Sequence, residues 1–367
     1  MTIQILGIGC ASPNNSLIQS ELADVAYNLS ARDSCSARAL SELYRLTGVA
    51  KRGSVLLHDE SADGLYKFYA NSSERIGDSA INYGPSTAQR MQVYSENALS
   101  LAHRAGCTAL ENSAVRAEEI TDLVTVSCTG FQAPGIDFAL CKSLGLIPSV
   151  HRTHIGFMGC HGALNGMRVA QSLCAANPDA TVLLVAVELC SLHYNFSGEK
   201  DHLVTNALFA DGAAALVVRN RSTVEEVRIQ IARNASYIVP NTSEMMSWSI
   251  GNNGFVMQLS PRVPGIIEDT LPEWLGQELE IAGFSISEIG GWAIHPGGPR
   301  ILEATRRALK LSDEALAPSS YVLESHGNMS SPTVLFILEE LKRQALPRPW
   351  VMLAFGPGLT FEVVVLK

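Results

Sequence analysis

The chain has 367 residues, 47% apolar and 17% charged, with 29 Gly and 16 Pro, a globular balance with core enough for about two structural units. Lys plus Arg number 27 against 36 Asp plus Glu, a net charge of −9, and no basic run exceeds two residues; this argues against nucleic-acid or polybasic membrane binding and leaves an anionic substrate to a local patch. The eight cysteines form no Cys-x-x-Cys pair, the N-terminus has no leader pattern, and no apolar run approaches the roughly 20 residues of a membrane span, so a reduced, soluble, cytoplasmic protein is expected.

Strand-like and helix-like runs alternate along the chain. Ile120 to Cys128 reads as a strand, followed by a turn with Gly130, Pro134 and Gly135 and a helix ending Leu144-Gly145-Leu146. Gly156-Phe157-Met158-Gly159-Cys160-His161-Gly162 is a glycine-flanked turn that opens a helix. Thr181 to Val187 is a continuous β-prone run, the kind that suits a strand buried on both faces, and Ala213 to Val218 reads similarly. Val227 to Ile231 alternates as a half-buried strand does. Arg300 to Leu309 and Pro332 to Ala345 carry helical periodicity, with Val334, Leu335, Ile337, Leu338 and Leu341 on one face of the second. Trp350 to Phe355 and Leu359 to Val365 read as a hairpin around Gly356-Pro357-Gly358.

Two of these blocks recur. The strand, turn and helix from Ile120 return from Ile289, through Trp292 and His295 to Pro296-Gly297-Gly298-Pro299 and a helix ending near Leu311. The helix at Cys160 and the strand near Thr181 return as a helix at Asn328 and a strand near Trp350. The common offset is about 169 residues, so the chain reads as two similar α/β halves, 1–220 and 221–367, joined near residues 219 to 225.

The chemistry-bearing residues fall at the ends of the repeated elements. Cys160 stands at a sharp turn before a helix, where free N–H groups and partial positive charge lower a thiol pKa and make a nucleophile. His295 ends a strand ahead of a Pro-Gly-Gly-Pro turn. Asn328 is the repeat partner of Cys160, and its amide can donate to a developing oxyanion. Spacing alone also admits a zinc site from His151, His154, Cys160 and His161, which we set aside.

Gly-x-x-Gly-Cys160, Ile294-His295-Pro-Gly-Gly-Pro299, Gly327-Asn328-Met-Ser-Ser331 and Phe355-Gly-Pro-Gly-Leu-Thr360 together resemble the signatures of type III polyketide synthases, the chalcone-synthase-like branch of the thiolase superfamily. The likeness preserves order from Leu6-Gly7-Ile8-Gly9 to the C-terminus. It implies a thiolase-like five-layered αβαβα fold with two duplicated halves, a homodimer, and a triad of Cys160, His295 and Asn328. It also implies iterative decarboxylative condensation of malonyl-CoA onto an acyl-CoA starter loaded on Cys160, with coenzyme A thioesters as substrates and no cofactor or metal.

By the same resemblance Phe209 is a gatekeeper and Met257 a second, with Phe255 close enough to leave that register open. Cys128, Thr129, Cys190, His193, Thr205 and Ser330 line the cavity, while Gly297, Gly298 and Arg300 contact coenzyme A. Ala133 stands where plant members carry a Met that reaches into the partner subunit. Small residues at Thr129, Ala133 and Cys190 are shared with bacterial alkylpyrone-forming members, which implies a tunnel for a fatty acyl starter and an alkylpyrone or alkylresorcinol-type product. The plant members' basic residues for the coenzyme A phosphates align near Ala39, Glu42 and Leu46, so Arg38, Arg45, Lys51 and Arg52 are the candidate substitutes. The alternatives are a single-condensation β-ketoacyl-carrier-protein synthase III and a non-catalytic acyl-CoA-binding relic. A papain-like hydrolase also uses Cys, His and Asn, but has no place for the repeat or its turns.

Overall fold

A computed structural model describes residues 2–30, 36–70, 74–76, 79–81, 83–221 and 228–367. Most of the expected join between the halves therefore lies outside the described residues, as does Cys35. The first half runs β1 (Thr2–Ala11), β2 (Ser16–Ile18), α1 (Gln19–Leu29), α2 (Ala37–Arg45), β3 (Lys51–Gly53), α3 (Asp63–Ala70), β4 (Glu74–Ile76), β5 (Ser79–Ile81) and the long α4 (Thr87–Ser113). It continues with β6 (Asp122–Ser127), α5 (Ile136–Leu144), β7 (His151–Gly156), α6 (Gly162–Ala176), β8 (Thr181–Leu189), α7 (Lys200–Leu208) and β9 (Asp211–Arg221). The second half has β10 (Ile229–Ile238), β11 (Met246–Gly251), β12 (Gly254–Leu259), α8 (Val263–Ala282), β13 (Gly291–Ile294), α9 (Pro299–Leu309), α10 (Asp313–His326), α11 (Thr333–Arg343), β14 (Trp350–Gly356) and β15 (Thr360–Leu366).

The strand order β13-β14-β15-β10-β1-β9-β8-β6-β7 displays the duplication. Outward from the central pair, β1, β9, β8 and β6 mirror β10, β15, β14 and β13. The halves meet where β1 pairs antiparallel with β10, Gln4 opposite Gln230 and Ile5 opposite Ile229. β7 adds one more parallel strand to the first half, Asp122 opposite His151, and among the described residues no strand pairs with its outer edge.

Strand alternation builds the layers, because successive side chains leave opposite faces of a sheet. On one face of β8, Leu183, Val185 and Val187 pack with Leu101, Ala105 and Ala109 of α4. On the other, Val182, Leu184 and Ala186 join Leu164 and Met167 of α6, Leu335 and Leu338 of α11, and Met352, Val364 and Leu366 of the second half. Val351, Leu353, Val363 and Val365 turn the opposite way, onto Ile267, Leu271 and Leu275 of α8 and Ile301 of α9. Helices, sheet, paired central helices, sheet and helices make the five-layered αβαβα architecture. α6 and α11, the shared middle, carry Cys160 and Asn328 at their N-terminal approaches.

Glycine makes one outer layer unusually close. A Cβ on Gly7 would lie 2.2 Å from the Ala109 carbonyl oxygen, and one on Gly9 2.2 Å from that of Ala105. Only a residue without a side chain lets β1 rest directly on the α4 backbone.

Candidate functional site

Cys160 sits in a 3-10 turn, Gly159–His161, between β7 and α6. The chain enters through two left-handed residues, Phe157 at φ 57° and Gly159 at φ 72°. A Cβ on Gly159 would stand 2.4 Å from Pro357 Cδ, so the Gly-Pro-Gly turn of the β14–β15 hairpin presses on the nucleophile turn at backbone distance. The Gly159 N–H donates to Cys128 Sγ at 3.1 Å. The expected lowering of the Cys160 thiol pKa is overturned. The thiol is 7% exposed, and its burial pushes it up to about 12, with a Ser330 hydrogen bond pulling the other way and Glu188 adding to the rise. In a closed apolar chamber, loss of hydration outweighs the helix N-terminus.

His295 follows β13, its N–H bonded to the Leu353 oxygen at 2.8 Å, and is 1% exposed. Burial pushes its imidazole down to about 3, and the neighbouring His161 adds to the fall. Asn328 accepts the Ser330 N–H on Oδ1 at 2.8 Å, which fixes the amide with Nδ2 free to donate. Both ring nitrogens of His295 and Nδ2 of Asn328 are buried without a partner. Buried polar atoms in folded proteins are rarely left unpaired. Three of them converge on the chamber that Cys160 also lines. Such a set can take the thiol proton and place two donors on a thioester or enolate oxygen.

Phe209 and Met257 line that chamber and the two adjoining ones. Cys128, Thr129, Cys190 and Ser330 line the second, His193 the third, and Thr205 and Gly297 the first. His193 donates from Nε2 to the Thr129 oxygen at 2.7 Å and accepts the Phe255 N–H on Nδ1 at 3.0 Å, so it is a neutral wall group; burial pushes it down to about 3. Phe255 stacks on that ring with centroids 4.2 Å apart, which leaves Met257 as the residue facing Cys160. Trp248 lies between the second and third chambers, its Nε1–H donating to the Cys128 oxygen at 2.9 Å.

Other expected residues stand elsewhere. Ala133 is exposed on the turn between β6 and α5, outside its own chain's cavity, because that turn runs over the surface beside Phe131. Gly298 is buried against Leu208 and Arg300 is exposed at the start of α9. Arg52 is 2% exposed, too buried to meet a coenzyme A phosphate at the surface: its Nε and Nη1 donate to Gln19, Tyr194 and the backbone oxygens of Asn206 and Phe209, and Nη2 is buried without a partner. Arg45 pairs with Glu42, whereas Arg38 and Lys51 stay exposed. The zinc set is dispersed, with His151 near Asp122, His154 on Thr125 and His161 on Asn165, and no metal-holding group occurs among the described residues.

Sequence reasoning missed Glu188. It is fully buried at the end of β8 and accepts from the Cys128 N–H at 2.9 Å, Thr129 Oγ1 at 2.7 Å and Ser331 Oγ at 2.8 Å. Burial pushes its carboxyl up to about 7 against those hydrogen bonds. The signal was present: a carboxylate closing a strand whose other residues are buried on both faces.

Residues 2–221 match the family described as chalcone and stilbene synthases, N-terminal domain, and residues 230–367 match its C-terminal domain. The chain belongs to the chalcone and stilbene synthase family and is an acyl-transferring type III polyketide synthase. It is 33% identical over 365 residues to the alpha-pyrone synthesis polyketide synthase-like Pks18 of Mycobacterium tuberculosis, covering 98% of this chain and 89% of that one. To the 1,3,6,8-tetrahydroxynaphthalene synthase of Streptomyces peucetius it is 32% identical, covering 99% and 92%. Among solved structures, PKS-I of the brown alga Ectocarpus siliculosus superposes with a TM-score of 0.89 at 28% identity, covering 100% of this chain and 98% of the other.

Proposed function

We propose that the enzyme loads a fatty acyl group from acyl-CoA onto Cys160 and extends it with malonyl-CoA to an alkylpyrone or alkylresorcinol-type product. The observation that carries this reading is the convergence of the unpartnered His295 and Asn328 atoms on the chamber of Cys160. The thiol S–H proton passes to His295, the sulfur attacks the starter thioester, and coenzyme A leaves with that proton. Loss of carbon dioxide from malonyl-CoA gives an enolate held by His295 and Asn328. Its carbon attacks the Cys160 thioester and regenerates the thiolate. No metal or redox step enters this balance.

The apolar walls, with Leu208, Phe209, Met246 and Met257, support an aliphatic starter, as does likeness to a relative named for alpha-pyrone synthesis. Gly297 borders the chamber and Arg300 is exposed in the first turn of α9, three residues on, a placement that suits coenzyme A entry there. A homodimer through β7 fits its free edge and the exposed Phe131 and Phe138, and puts Ala133 toward a partner subunit. The functional halves are 1–220 and 221–367. No helix among the described residues is long and apolar enough to cross a membrane, and the seven described cysteines are free thiols, which suits a cytoplasmic enzyme.

The test is malonyl-CoA with acetyl-, hexanoyl-, lauroyl- and coumaroyl-CoA, products read by mass. Several extensions on lauroyl- or hexanoyl-CoA are expected. Turnover confined to acetyl- or coumaroyl-CoA rejects the fatty starter, and a single extension on a carrier protein rejects iteration.

A further inference from the structure

A second histidine lies behind the site. His161, the residue after Cys160, is 2% exposed, and its Nδ1 meets Asn165 Oδ1 at 2.7 Å. Asn165 Nδ2 donates to Glu362 Oε1 at 2.8 Å, so its Oδ1 is left to accept, and Nδ1 of His161 carries the proton. Glu362 is buried on β15, and Arg168 reaches it from the surface at 3.7 Å. The ring is clamped against the end of β14: a Cβ on Gly356 would lie 2.0 Å from its Cδ2. Gly356 is therefore a glycine because the imidazole occupies the space of a side chain. The loading and condensation steps above use none of His161, Asn165, Glu362 and Arg168.

We infer that His161 is a positioning residue whose charge decides whether His295 can take the proton of Cys160. Loading requires a thiolate and an imidazolium at His295. A neutral His161 permits that imidazolium, and a protonated one opposes it by Coulomb repulsion across the buried site. The acid limit of the enzyme then follows His161 rather than the reacting pair. The charged and titratable groups around His161 are Arg168 on its own helix, Glu362 on β15, its neighbour Cys160, and His295, whose N–H is held by Leu353 on β14, the strand whose end at Gly356 the His161 ring abuts. Burial lowers its proton affinity, the Asn165 hydrogen bond and Glu362 restore part of it, and Arg168 lowers it further. The signs follow. Glu362→Gln or His161→Phe extends activity to lower pH, whereas Arg168→Gln, at a half-exposed side chain, draws the acid limb to higher pH.

The inference rests on Cys160 and His295 as the reacting pair, so the experiment reads both. Alkylation of Cys160 by iodoacetamide, mapped by peptide mass, and release of coenzyme A from lauroyl-CoA in the loading step are followed from pH 4.5 to 8.5 in wild type and the three variants. We expect the acid limb of both to move down by about one unit in Glu362→Gln and His161→Phe, and up in Arg168→Gln. Limbs that superimpose on wild type in Glu362→Gln and Arg168→Gln overturn the inference, even if the plateau rates fall, because a packing role lowers rates without moving a limb. Labelling of a cysteine other than Cys160 in wild type overturns the reacting pair itself, a separate failure.

Discussion

Phe209 and Asn328 lie side by side in a parallel β-bridge that joins the two halves at the site. The Asn328 N–H donates to the Leu208 oxygen at 2.9 Å, and the Ala210 N–H to the Asn328 oxygen at 2.8 Å. Arg52 adds a donor to the Phe209 oxygen at 2.5 Å. The aromatic ring at the chamber wall and the amide donor beside it are thus positioned by backbone, independently of their side chains.

That independence makes Asn328→Ala an informative test. The bridge survives the substitution, while the oriented Nδ2 donor is lost together with the Oδ1 acceptor of the Ser330 N–H. Decarboxylation of malonyl-CoA should fall on the order of 10²–10³-fold, the usual cost of one oxyanion donor. Stability should fall by only about 1–3 kcal/mol, the cost of the unpaired Ser330 N–H, so the variant should remain folded at assay temperature. Wild-type decarboxylation by the variant would remove Asn328 from the mechanism.

Gly159→Ala should damage the site without touching a reacting atom. A Cβ there faces a left-handed φ of 72° and Pro357 Cδ at 2.4 Å, and neither the strand end nor the hairpin turn can yield cheaply. The turn bearing Cys160 must shift. A displacement of about 1 Å costs roughly 10²-fold in rate, to be read as kcat/KM for product formation beside an unchanged labelling site. A variant as fast as wild type would show that the two turns do not constrain each other.

Glu188 predicts a pH dependence of stability. Its folded pKa, raised by burial to about 7, lies above the ordinary 4.5, so the folded state binds its proton more tightly than the unfolded chain does. Stability from this group is complete below the unfolded value and is lost as pH rises from about 4.5 through 7. The loss is on the order of 3 kcal/mol. Glu188→Gln, neutral throughout, should flatten the decline in Tm between pH 5.5 and 8. An identical decline in wild type and variant would place the titration elsewhere.

Trp248 predicts a change of substrate range. Its indole, tied to the Cys128 oxygen, stands between two chambers, and Trp248→Ala joins them. Each methylene then buried is worth about 0.8 kcal/mol. The ratio of kcat/KM for lauroyl- over hexanoyl-CoA should rise in the variant. A constant ratio would mean that the acyl chain lies away from the indole.

The fold was legible where burial is carried by large apolar side chains. β8, buried on both faces, announces itself as an unbroken aliphatic run, and α11 by its Val334, Leu335, Leu338 and Leu341 stripe. The longest described helix, α4, was silent because small residues, Ala98, Ala102, Ala105, Gly106 and Ala109, make up most of its buried face beyond Tyr94 and Leu101. Small residues give little periodicity, and what they signify, a strand at backbone distance, needs Gly7 and Gly9 from the far end of the same half. The positions of Cys160, His295 and Asn328 were legible from turn chemistry and the repeat. Their protonation was not, since the helix N-terminus is local whereas desolvation depends on every wall of the chamber. Arg52 illustrates the same limit: a cation in the sequence carries no mark of whether water reaches it.

The shared middle layer bears on how two copies of one ancestral unit can diverge. Leu184 of β8, Leu335 of α11 and Val364 of β15 fill a single space, so a change of volume in one half must be answered in the other. The outer layers are less bound by that rule: the apolar face of α4 packs on the strands of its own half, with only its N-terminal turn and Arg90 touching the β11–β12 hairpin, and α8 packs on the strands of the other. Drift is therefore freer on the outside and reciprocal within. The kinship of the halves should persist longest at α6 and α11, where each copy is the other's packing partner.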